Sequence, residues 1–280
     1  MRWLDRHITR RQHSRTGHLG RGAPRKAAPR WDALEWNSED RLTLDGLRFW
    51  LTTTEYKVPS TNEEFVLLKN RKVLESYKEV FNLAKSSAKL LEVGFFHGAA
   101  MVFYDLLLSP DKLVGIDQVL DAPILEKYIS SRNKSTIIPY FGVDQQDKDA
   151  VTTILKQEFP GHDIDVVIDD ASHEYFRARA TFEVAFPYLR ENGVYVIEDW
   201  GWAHWSGAWQ DPEAATIPGP ALSNLVFELV MIQASSPDVI SALHIDPYRV
   251  AVIRGGKDLT SQPFEMNDFY LTRGKTLSLL

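Results

Sequence analysis

From residue 89 to residue 254 short apolar runs alternate with amphipathic stretches at near-regular spacing. The runs at 90–93, 113–116, 136–139, 164–168 and 194–197 predict buried strands, and the stretches at 99–108, 122–130, 151–159 and 174–189 have helical spacing. Strands and helices alternating in this way predict right-handed crossovers and a parallel sheet covered on both faces. A further helix is predicted at 222–234. A strand pair at 241–245 and 249–254, around Asp246-Pro247-Tyr248, then predicts a late antiparallel edge. Upstream, 39–52 and 62–86 show helical spacing, and Thr61 with Glu64 forms a capping box for the second. Its apolar face is Phe65, Leu68, Val73, Leu74, Tyr77, Val80, Phe81 and Ala84, so 31–87 is expected to be a helical lid beside the core. Tyr56, Lys57 and Pro59 form the connector. Four segments result: an arm at 1–30, the lid at 31–87, the main α/β domain at 88–256 and a tail without strong pattern at 257–280.

The stretch from 89 to 117, KLLEVGFFHGAAMVFYDLLLSPDKLVGID, carries a ligand signature. Gly94 and Gly98 let backbone approach a ligand closely, and the helix that follows offers unpaired N–H groups. Asp117, at the end of the next strand, is placed to accept from ribose hydroxyls. The glycine pattern is E-x-G-x-x-x-G, with Glu92 two residues ahead of the first glycine. This resembles the first motif of the class I S-adenosylmethionine (SAM) methyltransferases, and a carboxylate here suits a cofactor carrying an ammonium and a sulfonium. Asp144 and Gln145, after the third strand, are expected to face the adenine edge.

Charge changes this picture at one end. Residues 1–30 hold nine Lys or Arg against one acid, which leaves 23 bases and 37 acids in the remainder. The arm has few aliphatic residues and is read as a disordered, solvated leader or an over-long start. Phosphate binding or organelle targeting are its other readings. The acidic body argues against a nucleic-acid partner. No apolar run approaches the roughly 20 residues that span a bilayer. The absence of cysteine excludes disulfides, thiolate metal sites and a thiol nucleophile, and suits the cytoplasm. The oligomeric state stays open.

The remaining chemistry lies at two strand ends, Asp169-Asp170 and Glu198-Asp199. Asp170, Glu198 and Asp199 brought together repel one another and are costly to desolvate, so a cation between them is the simplest resolution. Oxygen ligands point to a hard ion, Mg2+ before Ca2+ or Mn2+. His173 follows on the turn and is placed to take the proton of an acceptor hydroxyl.

The segments IDDASHEY and YVIEDWGWAHW resemble the metal-dependent O-methyltransferases that modify macrolide-antibiotic sugars, with the related rhamnosyl methyltransferase and cephalosporin hydroxylase-like proteins. The resemblance covers about 89–205. It implies a Rossmann-like class I methyltransferase fold with a mostly parallel seven-stranded sheet and a late antiparallel strand. It also implies SAM and Mg2+ as cofactors, Asp170, Glu198 and Asp199 as ion ligands, His173 as base, Asp169 on the cofactor side and a small-molecule hydroxyl acceptor. Val143 and Ala171 stand where that family often has glycine. Trp202 and Trp205, and less so Trp209, suit a sugar or flat ring. Two alternatives remain: a catechol-type acceptor, and a nicotinamide oxidoreductase, which the glycine spacing and late strand pair disfavour.

Overall fold

The computed structural model describes residues 28–55, 57–84, 88–207 and 219–276. Most of the basic arm, Tyr56 and Trp209 lie outside the described residues. The amino-terminal segment departs from expectation. Where two helices were predicted, it holds the strands β1 (Glu35–Trp36), β2 (Arg41–Leu44), β3 (Leu47–Leu51) and β4 (Glu64–Leu67), followed by one helix, α1 (Arg71–Ala84). The strands form a sheet in the order β1-β2-β3-β4. Leu44 pairs with Leu47 across Asp45-Gly46, and both turn residues have positive φ (50° and 77°). Such a two-residue turn matches the twist of a hairpin. The spacing of Leu44, Leu47 and Leu51 fits a helix equally well, which is why periodicity misreads this stretch.

The Thr61–Glu64 pair makes the expected hydrogen bond, Glu64 N–H donating to Thr61 Oγ1 at 3.1 Å, but the turn leads into β4. The cap of α1 is Asn70, whose Oδ1 accepts the Val73 N–H at 2.9 Å.

The main sheet is assembled from β5 (Lys89–Val93), α2 (Ala99–Leu108), β6 (Lys112–Ile116), α3 (Pro123–Arg132), β7 (Ile137–Tyr140), α4 (Lys148–Glu158), β8 (Ile164–Asp169), α5 (Tyr175–Ala185), β9 (Leu189–Glu198), α6 (Ser223–Ser235), β10 (Ile240–Ile245) and β11 (Arg249–Arg254). Its order is β10-β11-β9-β8-β5-β6-β7, with β5 to β9 mutually parallel and β11 antiparallel to both its neighbours. Side chains alternate across it. Leu90, Leu113 and Val166 meet α1, α2 and the small sheet on one face, and Leu91, Val114 and Val167 meet α4, α5 and α6 on the other. Phe49 of β3 packs edge-on to Phe103 of α2, with ring centroids 5.6 Å apart, so the small sheet is fixed against the main core.

Two boundaries shift. Arg30, assigned to the arm, forks onto Asp45 at 2.5 and 2.6 Å. The stretch after residue 257 is packed: Leu259, Phe264 and Met266 are buried in the core formed with Phe182 and Phe186. Among the described residues, no helix is long and apolar enough to cross a membrane.

Candidate active site

Strand order reverses between β5 and β8, and at such switch points ligands sit at the carboxyl ends of the strands. The ends of β5, β6, β8 and β9 open there on one cavity of about 660 Å³, closed on its far side by β4 and residues 68–70. Its size is that of a small-molecule site.

At one end the turn after β5 is held by hydrogen bonds on both sides. Gly94 N–H donates to Ile116 O, and Asp170 N–H donates to Val93 O, each at 2.9 Å. Both glycines adopt positive φ, 85° at Gly94 and 82° at Gly98. A Cβ at Gly94 would stand 2.4 Å from the Asp170 carbonyl oxygen, and one at Gly98 2.6 Å from the Leu125 side chain. The glycines therefore serve the packing of the turn against β8 and α3, and Gly98 does not reach the cavity wall. Phe96, also at positive φ, donates its N–H to Asp117 Oδ2 at 2.6 Å, while Val119 N–H donates to Oδ1 at 2.9 Å. Glu92 is 1% exposed, and its Oε2 is buried without a hydrogen-bond partner. Burial drives its carboxyl well above the ordinary range. A buried acid with an unpaired oxygen on the cavity wall is what a cationic ligand group would satisfy.

The other end gathers the acids. Asp170, His173 and Asp199 bring one ligand atom each within 4.8 Å of one another, with His173 Nε2 3.7 Å from Asp170 Oδ1. His173 and Asp199 both hold positive φ, 55° and 51°. Such strain persists only where surrounding contacts over-determine it. Trp202 Nε1–H donates to His173 O at 3.0 Å, and Asp199 N–H donates to Tyr248 O at 2.6 Å. Burial raises the Asp199 carboxyl, with His173 opposing and Glu198 adding to the shift.

Glu198 lies apart from that cluster and meets a residue the sequence reading passed over. Lys69, 3% exposed, donates from Nζ to Glu198 Oε1 and Oε2 at 2.6 and 2.7 Å and to Asp170 Oδ2 at 2.8 Å. Tyr77 OH also donates to Glu198 Oε1. Burial alone would lower the Lys69 ammonium, but Asp170 and Glu198 outweigh it and hold it charged. Three carboxylates against one ammonium leave two negative charges. One divalent ion among Asp170, Asp199 and His173 would cancel them, so the donor set fits such an ion.

No protein-family model matches the chain. It is similar to mycinamicin VI 2''-O-methyltransferase of Micromonospora griseorubida, 41% identical over 64 residues that make up 23% of this chain and 15% of that protein. It is also 35% identical over 139 residues to L-olivosyl-oleandolide 3-O-methyltransferase of Streptomyces antibioticus, covering 47% of this chain and 33% of that protein. The chain thus spans a third or less of these curated relatives. The solved structure of MycE, a methyltransferase from the mycinamycin biosynthetic pathway in complex with Mg and SAH, superposes with a TM-score of 0.50 at 24% identity, over 68% of this chain and 51% of that one. The fold is that of a Rossmann-like class I methyltransferase.

Within this methyltransferase fold, Glu92, Gly94, Asp117, Gln145, Asp170, His173, Glu198, Asp199 and Trp205 line the cavity, while Gly98, Asp144, Asp169 and Trp202 do not. Asp144 instead pairs with Arg177, which does line the cavity, at 2.9 Å. Asp169 is sealed beneath the site by Tyr195 OH (3.1 Å) and the Gln145 amide (3.3 Å). Gln145 also binds Thr181 Oγ1 and accepts the Ser172 N–H at 3.0 Å, so its side chain braces the loop that carries His173. Trp202 braces the same loop. Trp205 meets Tyr248 edge-on at 6.1 Å on the cavity wall. Lys69 had no signal beyond standing just before the Asn70 cap.

Proposed function

We propose that the chain is a SAM-dependent, Mg2+-assisted O-methyltransferase of the cytoplasm that methylates a hydroxyl of a natural-product sugar. The observation that carries the reading is the meeting, in one cavity, of the orphaned Glu92 carboxylate with the Asp170–His173–Asp199 cluster. The antiparallel β11 favours it over a nicotinamide oxidoreductase, and the sugar-modifying relatives favour a glycoside acceptor over a catechol.

When bound, the cofactor would supply an electrophilic methyl and the ion would lower the pKa of the acceptor hydroxyl. The protein's share is positioning and proton transfer. Glu92 would take the cationic end of the cofactor and Asp117 its ribose. Asp170, Glu198 and Asp199 would hold the hard ion through oxygen, which would leave His173 Nε2 to accept the hydroxyl proton. Trp205 and Tyr248 offer an apolar wall against which a sugar face can lie and from which water is excluded.

Thermal shift tests the cofactor. At about 100 times its Kd, S-adenosylhomocysteine should add about 2.7 kcal/mol of stability; stabilisation by NAD alone would overturn the reading. Methyl transfer from SAM to glycosides, assayed with Mg2+ and with EDTA, then tests the ion.

A further inference from the structure

We infer that Asn70 helps to select the acceptor: its side-chain amide donates to a hydroxyl oxygen vicinal to the one that is methylated. The inference rests on the sugar reading above and gives it a recognition residue. Three observations carry it. Asn70 lines the cavity together with Val73, Trp205 and Tyr248. Its amide orientation is settled by the start of α1, because only Oδ1 can accept the Val73 N–H at 2.9 Å. The Nδ2 group therefore keeps both its N–H donors for the contents of the cavity. Finally, the turn that carries Asn70 belongs to the ion end. Lys72 of the same turn places Nζ 5.3 Å from the centre of the Tyr248 ring, and Tyr248 O accepts the Asp199 N–H at 2.6 Å.

The chemistry at this end calls for a donor. Asp170, Glu198 and Asp199 are acceptors when ionised, and as acceptors they reach a hydroxyl through its proton and leave its lone pairs unaddressed. With the reacting hydroxyl at His173, the next oxygen of a sugar lies one ring carbon further along the wall. A residue that only capped α1 would serve as well as Ser or Asp. What asparagine adds is the pair of N–H groups.

Asn70→Ser separates the two roles, because it keeps an oxygen for the cap and removes the donors. Calorimetry of the full chain, saturated with S-adenosylhomocysteine and Mg2+, would use methyl α-L-rhamnopyranoside and its monodeoxy analogues as probes. The variant should bind the parent glycoside about tenfold more weakly, the loss of one hydrogen bond, with S-adenosylhomocysteine binding and thermal melting unchanged. For the analogue that lacks the contacted oxygen, the variant and the unaltered chain should bind alike. No penalty, or an equal penalty across the whole series, would overturn the inference and leave the sugar reading intact. If the unaltered chain takes S-adenosylhomocysteine but no glycoside, both are overturned. Should the serine variant fail to melt cooperatively, Asn70→Asp, which also caps without donors, takes its place with the same expectations.

Discussion

The two ends of the cavity hold their acids in different ways. At the cofactor end, Asp117 is fixed by backbone N–H groups of Phe96 and Val119, donors that come with the turns themselves and that only a substitution to proline removes. At the ion end, Asp170 and Glu198 share a single ammonium, which reaches them from the loop between β4 and α1. The first arrangement is a property of the parallel sheet. The second exists only once the small amino-terminal sheet has docked on α2, because that docking delivers Lys69. Single substitutions should therefore act more sharply at the ion end.

The largest effect is expected from His173→Ala. Losing the proton acceptor should lower turnover by about 10²–10⁴-fold, while calorimetry should find S-adenosylhomocysteine binding little changed. A matching loss of binding would erase the distinction between the ends. Next comes Asp169, sealed behind Asp170, where burial lifts the carboxyl from 3.8 to about 7 against the Tyr195 hydrogen bond. A raised folded-state value means that this group's contribution is fully present below about pH 4 and is lost as pH rises through 7. At 1.36 kcal/mol per unit, the protein should lose on the order of 4 kcal/mol relative to Asp169→Asn between pH 4 and 8, read by urea unfolding at each pH. A difference that stays flat with pH would remove burial as the cause.

Gly94→Ala should cost about 3 kcal/mol in the same assay, since the new methyl meets the Asp170 carbonyl and the backbone is left-handed. This would show that the two ends share one turn. The smallest effect belongs to Asp117→Asn. It keeps an acceptor for one of the two backbone donors, turns an NH2 group toward the other and loses the charge toward a ribose, so S-adenosylhomocysteine should bind about tenfold more weakly, roughly 1.4 kcal/mol. A loss of a hundredfold or more would mean that this end depends on charge as much as the other.

The parallel sheet was legible because β5, β6, β8 and β9 carry apolar runs closed by Gly, Asp or Glu, and burial on both faces demands such runs. The acids at the tips of β8 and β9 were legible for the same reason: a polar residue right after a buried strand lies at its carboxyl end. The amino-terminal sheet was misread because Leu44, Leu47 and Leu51 satisfy the helical period, and only the pairing of Leu44 with Leu47 across Asp45-Gly46 selects the hairpin. At Gln145, Asp169 and Trp202 the position along the chain was informative, but the direction was not. Gln145 lines the cavity but spends its side chain bracing the His173 loop, Trp202 braces that loop from beside the cavity, and Asp169 is sealed beneath it.

By itself the sequence determined which strand ends carry acids and which turn has no room for a side chain, because these follow from local apolar runs and from residues a few positions apart. The tertiary structure alone decided how those acids are compensated. Lys69 lies 101 residues from Asp170 and 129 from Glu198, and no local pattern encodes a buried ammonium meeting two carboxylates over such separations. The attraction among these charges offsets their desolvation cost only when the ammonium and both carboxylates meet, since a missing partner leaves a buried charge uncompensated.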